Sequence, residues 1–222
     1  MKKFISLVVC LICTLSPLPM AAQTEYQIPE NVSANNGELD WFVYKDRAGE
    51  AKIEKKDILL KSNSKAVYAG GFATIPVTLT YAKLPINFNG DFYMSATMKP
   101  AKVDDKHLFG LAFNVAGEGD YNAVLFDNQF CYYVRVVNGI ILGLKDRVIY
   151  KYQKAKKDQW TIALERKNYG DYVLTLNGLE VRTIPASTQF NFPAVGACVT
   201  NKGEVKVLEV SYTQWAPPAD NE

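Results

Sequence analysis

The chain has 222 residues, of which 48% are hydrophobic, 25 are Lys or Arg and 23 are Asp or Glu. The formal net charge of +2 gives no electrostatic reason to bind nucleic acid, so no such partner is predicted. A zinc site of His and Cys is excluded by count, because His107 is the single histidine and the cysteines beyond the N-terminal segment, Cys131 and Cys198, are distant.

The first 22 residues have the pattern of a cleavable secretory signal peptide. Lys2 and Lys3 precede an apolar run over 4–15, two prolines lie just after this run, and small residues end at Ala22. The run is too short for a membrane span, which needs about 20 apolar residues, so no transmembrane anchor is expected after processing. The sequence therefore predicts an exported protein, either periplasmic or extracellular.

The rest of the chain is predicted to form one all-β domain. We expect a lead-in segment over 23–38, a sandwich domain over 39–213 and a flexible C-terminal tail over 214–222. Apolar side chains recur at every second position, as in strands with one buried face. Asn177-Gly178 between two such runs is a strong hairpin signal.

No window of helical length carries an apolar stripe, whereas many short runs have the period of a strand. The predicted strands lie near 39–45, 51–54, 57–62, 65–69, 74–80, 92–99, 107–115, 121–127, 130–137, 140–145, 159–166, 171–177, 179–184, 195–200 and 204–213. Many short strands without helices are typical of a sandwich or barrel. The predicted fold class is therefore an all-β, two-sheet antiparallel β-sandwich of the jelly-roll type.

Two sequence stretches carry a family resemblance. Residues 160–166 (WTIALER) and 172–178 (YVLTLNG) are similar to a tryptophan-led strand followed by a Y-x-L-x-L-N-G hairpin in the concanavalin A-like lectin/glucanase (laminin-G-like) superfamily. The resemblance covers 39–213 and extends to a bacterial branch resembling 3-keto-disaccharide hydrolases. It implies a sandwich that hosts lectins, adhesion modules and glycosidases, so it does not choose among these functions.

The catalytic signature of the glycosidases in this superfamily, Glu-x-Asp-x-x-Glu, is not reproduced. Its near match begins at Glu38 and Asp40, but Val43 stands where the third acid is required. His107 is in phase with apolar neighbours, which favours the start of a core strand over a catalytic role. The chain is therefore predicted to be non-catalytic and without a cofactor, although acidic turns such as 104–105 and 118–120 leave calcium possible.

A polar and aromatic patch is predicted on one sheet. Along 130–137 the pattern turns one set of residues towards the core, namely Phe130, Tyr132, Val134 and Val136, and directs Cys131, Tyr133 and Arg135 outwards. Neighbouring strands and their loop add polar side chains, and planar polar groups beside aromatic rings suit glycans. The candidate ligand-binding residues are Asn114, Asp120, Tyr121, Asn122, Tyr133 and Arg135. An ordinary solvated sheet face is the alternative.

The two cysteines of the mature chain are predicted to point away from the core as unpaired thiols. Export permits a disulfide between Cys131 and Cys198, but the sequence cannot establish the short Cα separation that a disulfide requires. For function, the leading hypothesis is an exported, non-catalytic module that binds carbohydrate or a cell-surface protein. A glycoside-processing hydrolase and an adhesion domain without a small ligand are the alternatives.

Overall fold

The computed structural model describes residues 26–69, 72–142, 144, 146–150 and 158–216. Within them the chain forms two antiparallel sheets that pack face to face, so the predicted two-sheet sandwich is confirmed. The predicted signal peptide lies outside the described residues. No helix in the described part is long and apolar enough to cross a membrane.

Sheet A contains the strands at both ends of the chain. Its members are β1 (Val32–Ser33), β2 (Tyr44–Lys45), β3 (Gly49–Glu54), β4 (Asp57–Ser62), β7 (Phe92–Pro100), β13 (Trp160–Arg166), β14 (Tyr172–Leu176), β15 (Leu179–Ile184) and β17 (Glu204–Gln214). The strand order is β15-β14-β13-β7-β17-β4-β3-β2, and β1 pairs with β17. The last strand of the chain therefore lies in the middle of this sheet, between β7 and β4.

Sheet B contains the remaining strands. Its members are β5 (Val67–Ala69), β6 (Phe72–Lys83), β8 (Phe109–Gly117), β9 (Asp120–Phe126), β10 (Phe130–Val137), β11 (Ile140–Leu142), β12 (Arg147–Ile149) and β16 (Ala194–Thr200). The order β11-β10-β9-β8-β16-β6-β5 is supplemented by pairing of β11 with β6, and β12 pairs with β10. Strand β6 pairs with β16 over 77–83 and with β11 over 74–76, so six strands form a closed ring.

Two hydrophobic cores result from this arrangement. The inter-sheet core lies between the sheets and includes Trp41, Phe109, Phe113 and Trp160. The ring core lies on the other face of sheet B, inside the ring, and comprises Ile75, Leu79, Leu108, Ala112, Val115, Tyr121, Ala123, Leu125, Tyr132, Val134, Val136, Ile141, Ala194 and Cys198. Because both faces of β8 and β9 are buried, nearly all their side chains are shielded from water.

The second core corrects three predicted orientations. Cys131 and Tyr133 were expected to point outwards, but Cys131 belongs to the inter-sheet core and Tyr133 packs against it. Cys198 was also expected to point away from the core, yet it lies in the ring core. The sequence pattern identified the alternation correctly along β10. It could not show that each face of the strand meets a different core.

The cysteines are unpaired, as the sequence favoured, and lie on opposite faces of sheet B. Burial raises the pKa of Cys131 to about 12, and burial also raises the pKa of Cys198. Because thiolates are the reactive form, we expect neither Cys131 nor Cys198 to react with Ellman's reagent at about pH 8 in a folded chain that spans residues 23–222. Both should react after unfolding in guanidinium; prompt reaction of the native protein would contradict this burial.

Short turns and terminal contacts complete the fold. Asn177 and Gly178 have φ values of 52° and 80°, as the predicted two-residue hairpin requires. The lead-in segment is attached to the domain, since β1 pairs with β17 and the Trp215 indole N–H donates to the carbonyl of Gln27 at 3.0 Å. Trp215, expected to lie in a flexible tail, is buried against Tyr26 and Tyr93.

Candidate functional site

Most of the predicted ligand-binding residues form one hydrogen-bonded network at an end of sheet B. Asn114 donates through Nδ2 to Asn122 Oδ1 at 2.8 Å, and Asn122 donates to the Tyr133 hydroxyl at 2.9 Å. Arg135 donates to Asn122 Oδ1 at 2.9 Å and forms an ion pair with Asp120. The structure therefore brings these five residues together, as the pairing of adjacent strands implies.

Burial divides this network into an internal part and an accessible part. Asn114 is 5% exposed and Asn122 is 7% exposed, and their amide oxygens each accept two hydrogen bonds within the protein. Asn114 adopts φ 51° at an irregularity in β8, a conformation that asparagine tolerates better than most residues. Asn114 therefore holds the loop at 191–192 to the sheet, Asn122 joins Asn114 to Tyr133 and Arg135, and Asp120 and Arg135 are the exposed members.

Tyr121 is not part of this network. Its side chain lies on the opposite face of β9, fully buried in the ring core, and its hydroxyl has no hydrogen-bond partner. Burial raises the pKa of Tyr121 well above its usual value, so the phenol stays neutral. The ligand-binding role assigned to the whole set from the sequence stays a prediction, and Tyr121 is the member that this geometry separates from the others.

A second candidate surface, which the sequence did not single out, lies where the chain crosses between the sheets. Trp41 bridges to Ala82 in sheet B, whereas Tyr44 pairs with Ala51 in sheet A. The predicted strand over 39–45 is therefore interrupted, and Phe42 lies at the crossing. Its backbone N–H donates to the carbonyl of Tyr81 at 2.8 Å, which fixes the segment against β6.

Three half-buried aromatic rings form a row at this crossing. The Phe42 ring centroid is 5.2 Å from that of Tyr44 and 5.5 Å from that of Tyr81, with interplanar angles of 29° and 31°. We call the adjoining depression of about 420 Å³ the aromatic groove; it is lined by Asp40, Trp41, Phe42, Val43, Tyr81 and Lys83. Burial raises the pKa of Tyr44 to about 12, so its hydroxyl is neutral at physiological pH.

The groove has a rigid floor and charged rims. Trp41 is buried and its indole N–H donates to the carbonyl of Ala34 at 2.8 Å, and the Thr80 hydroxyl donates to the carbonyl of Phe42 at 2.8 Å. Asp40 and Lys83 are exposed on the rim. The side chains thus offer aromatic surface, the Asp40 carboxylate as an acceptor and the Lys83 ammonium as a donor in a preformed depression.

The single histidine of the chain, His107, is hydrogen-bonded within an acidic turn. Its Nδ1 is 2.7 Å from Asp104 Oδ1, and it lies two residues before β8 rather than at the start of the strand predicted over 107–115. Burial opposes ionisation of Asp104, but hydrogen bonds from Lys102, His107 and two backbone N–H groups outweigh it and hold its pKa well below the usual range. This carboxylate is occupied in ordering its own turn.

A bound metal ion requires several ligand side chains that converge on one point. Among the described residues, no group of three or more His, Cys, Asp or Glu side chains is placed to hold a metal ion. The acidic turns at 104–105 and 118–120 therefore bring together too few carboxylates for such a cluster. Calcium ligation through loop carbonyls stays a prediction from the sequence.

Comparison with known proteins identifies the fold. No family model and no curated protein matches the chain. Among solved structures, the carbohydrate recognition domain of Emp46p in its potassium-bound form matches with a TM-score of 0.52 and 13% identity, over 79% of this chain and 89% of that chain. The carbohydrate recognition domain of Emp47p matches with a TM-score of 0.51 and 11% identity, over 85% and 95%.

A third similar structure comes from work on endo-acting O-glycanases that prominent members of the human gut microbiota express to initiate mucin breakdown. Its TM-score is 0.51 at 11% identity, over 86% of this chain and 100% of that chain. Identities this low establish shared architecture and leave function open. The chain shares the two-sheet β-sandwich fold of these structures, which is the fold that its sequence resemblance implied.

Proposed function

We propose that this protein is an exported, non-catalytic carbohydrate-binding module and that the aromatic groove is its binding site. The observation that carries the proposal is the preformed depression that the Phe42 and Tyr81 rings line together with the exposed charged residues Asp40 and Lys83. Sugar rings combine apolar C–H faces with hydroxyl groups around their edge. A carbohydrate site therefore needs aromatic surface and nearby polar groups together.

Rigidity favours this surface over the polar network at the end of sheet B. The Phe42 backbone is hydrogen-bonded to β6 on both its N–H and its carbonyl, so binding orders little of the protein. In the polar network, the two asparagine amides are buried and already satisfied internally. The groove consequently offers a ligand more unoccupied contact area.

Three further points support the remaining parts of the proposal. The sequence pattern over 1–22 supports export to the periplasm or the cell exterior. Loss of the third acid at Val43 supports a non-catalytic role. The similar carbohydrate recognition domains of Emp46p and Emp47p support a glycan over a cell-surface protein as the partner.

A glycan array followed by calorimetry tests the proposal. The mature domain is expected to bind at least one class of plant, host or bacterial glycan, assayed with and without calcium. Phe42→Ala and Tyr81→Ala should each weaken binding of the best array ligand by about tenfold or more, because buried aromatic anchors dominate such contacts. Thermal unfolding of each variant checks that the fold is retained.

Phe192→Ala provides the matched control, since Phe192 is an exposed aromatic residue outside the groove. Its affinity should stay within about twofold of the wild type, as surface changes away from a site usually do little. The proposal is contradicted if the array is silent under both calcium conditions. It is also contradicted if the two groove variants bind as tightly as the control.

A further inference from the structure

Arg182 reaches from the edge of sheet A into the space between the sheets because β15 contains a bulge. Leu174 pairs with Arg182 and Thr175 pairs with Glu180, so Val181 is an extra residue without an opposite partner. Val181 packs against the inter-sheet core, and the adjacent Arg182 also turns inwards, over the ring of Tyr133. A bulge is a common means of re-aiming a side chain next to a functional site.

The guanidinium of Arg182 carries hydrogen-bond donors that have no acceptor within the protein. Its Cζ lies 5.4 Å from the Tyr133 ring centroid, and Nη2 donates to Asp146 Oδ2 at 2.7 Å. Nε and Nη1 are buried without a hydrogen-bond partner, and the side chain is only 18% exposed. Unsatisfied buried donors of a charged group are costly, which favours replacement of Asp146, an acceptor for Nη2 alone, by an oxyanion that accepts from a further guanidinium nitrogen as well.

The accessible side of this arrangement is formed by acidic side chains. The Asp146 side chain is 54% exposed, so its carboxylate stands between Arg182 and solvent. On the same face of β10, Arg135 is paired with Asp120 and bonded to Asn122, which in turn donates to the Tyr133 hydroxyl. Two arginines thus lie beside one tyrosine, each held by a half-exposed aspartate.

We propose that Arg182 and Arg135 form a subsite for an oxyanion carried by an acidic glycan, a carboxylate or a sulfate ester, which enters by replacing the Asp146 carboxylate on Arg182. The exchange keeps the charge of the site constant, and Asp146 returns to water at little cost because it is already half solvated. Arginine suits planar and tetrahedral oxyanions because its fork donates several hydrogen bonds.

The glycan part of this inference rests on the proposed function, whereas the oxyanion part does not. We therefore use two kinds of probe with the mature protein. Galacturonate oligomers are compared with the same oligomers as methyl esters, and galactose 6-sulfate is compared with galactose, all by calorimetry. Sodium sulfate and sodium acetate are tested separately by thermal shift against sodium chloride at equal ionic strength.

The expected result is a preference for the acidic member of at least one pair. Asp146→Asn, which frees Arg182 without removing it, should strengthen acidic binding severalfold, and Arg182→Gln should weaken it by roughly tenfold, the effect of one charge-assisted contact. Arg147→Gln is the matched control, because Arg147 is an exposed arginine that instead lies over Phe130 at 4.5 Å.

The galacturonate and sulfate pairs distinguish the two sources of the oxyanion. Equal binding of acidic and neutral members, or an unchanged preference in both Arg182→Gln and Asp146→Asn, overturns the inference and leaves the aromatic groove untouched. If no glycan binds, but sulfate or acetate stabilises Asp146→Asn and not Arg182→Gln, the oxyanion subsite stands and the proposed carbohydrate function fails.

Discussion

Gly110→Ala is expected to lower the free energy of unfolding by about 4 kcal/mol or more, because the added Cβ would make the shortest contact found at any of the described glycines. A Cβ at Gly110 would stand 1.8 Å from the carbonyl oxygen of Val124 and 2.9 Å from Cα of Leu125. Both atoms are backbone, so no side-chain rotation relieves the overlap. Strand β9 would have to move away from β8, its neighbour in the wall of the closed ring.

Gly117→Ala is the matched control on the same strand. A Cβ there meets nothing within 4 Å, and its φ is not in the left-handed region, so the change should be nearly neutral. Urea unfolding followed by tryptophan fluorescence gives both free energies. Similar stabilities for the two variants would show that β8 and β9 do not approach as closely at Gly110 as described.

Arg166→Met is expected to cost about 3 kcal/mol, because it removes a buried cation from a cage of backbone carbonyls. Arg166 donates to the carbonyl oxygens of Phe88, Asn89, Tyr169 and Gly170 at 2.9–3.3 Å. Its guanidinium also lies over the Tyr172 ring, 4.9 Å from the centroid. The substitution leaves these carbonyls without their donors and releases two loops from each other.

Comparison with Arg147→Met distinguishes the stability contributed by the carbonyl contacts of Arg166 from that contributed by its contact with an aromatic ring. Arg147 also lies over an aromatic ring, that of Phe130, but it is exposed, so its loss should cost less than about 1 kcal/mol. The two variants are compared by chemical denaturation under identical conditions. An Arg166→Met protein as stable as Arg147→Met would mean that water replaces the guanidinium without penalty.

The success of the fold prediction can be traced to sheet A. Along β14 buried residues alternate with partly exposed ones, and β13 departs from this alternation only at the buried Ala163, so the apolar pattern in the sequence reports one buried face directly. In sheet B this pattern does not distinguish a buried face from an exposed one, since both faces of β9 and β10 pack against hydrophobic side chains. The wrong orientations of Cys131, Tyr133 and Cys198 share this cause.

The candidate site was harder to predict than the fold. Asn122 and Arg135 were correctly placed as neighbours, because adjacent antiparallel strands align them. The aromatic groove was missed because it joins Phe42 to Tyr81, and no local pattern shows that the chain changes sheets between Trp41 and Tyr44. The sequence signal that could have revealed the groove is the run from Trp41 to Tyr44. Successive residues of a strand point to opposite faces, and this run is apolar on both, so aromatic rings also lie on the more solvent-exposed face.

The central position of β17 governs when this protein can fold during synthesis. The ribosome completes β4 and β7 long before β17, yet β17 is the strand that joins them. Until the last segment emerges, sheet A consists of two halves with unpaired inner edges, and long-range closure of this kind is slow. A chain that ends before Glu204 lacks the middle of the sheet rather than its margin.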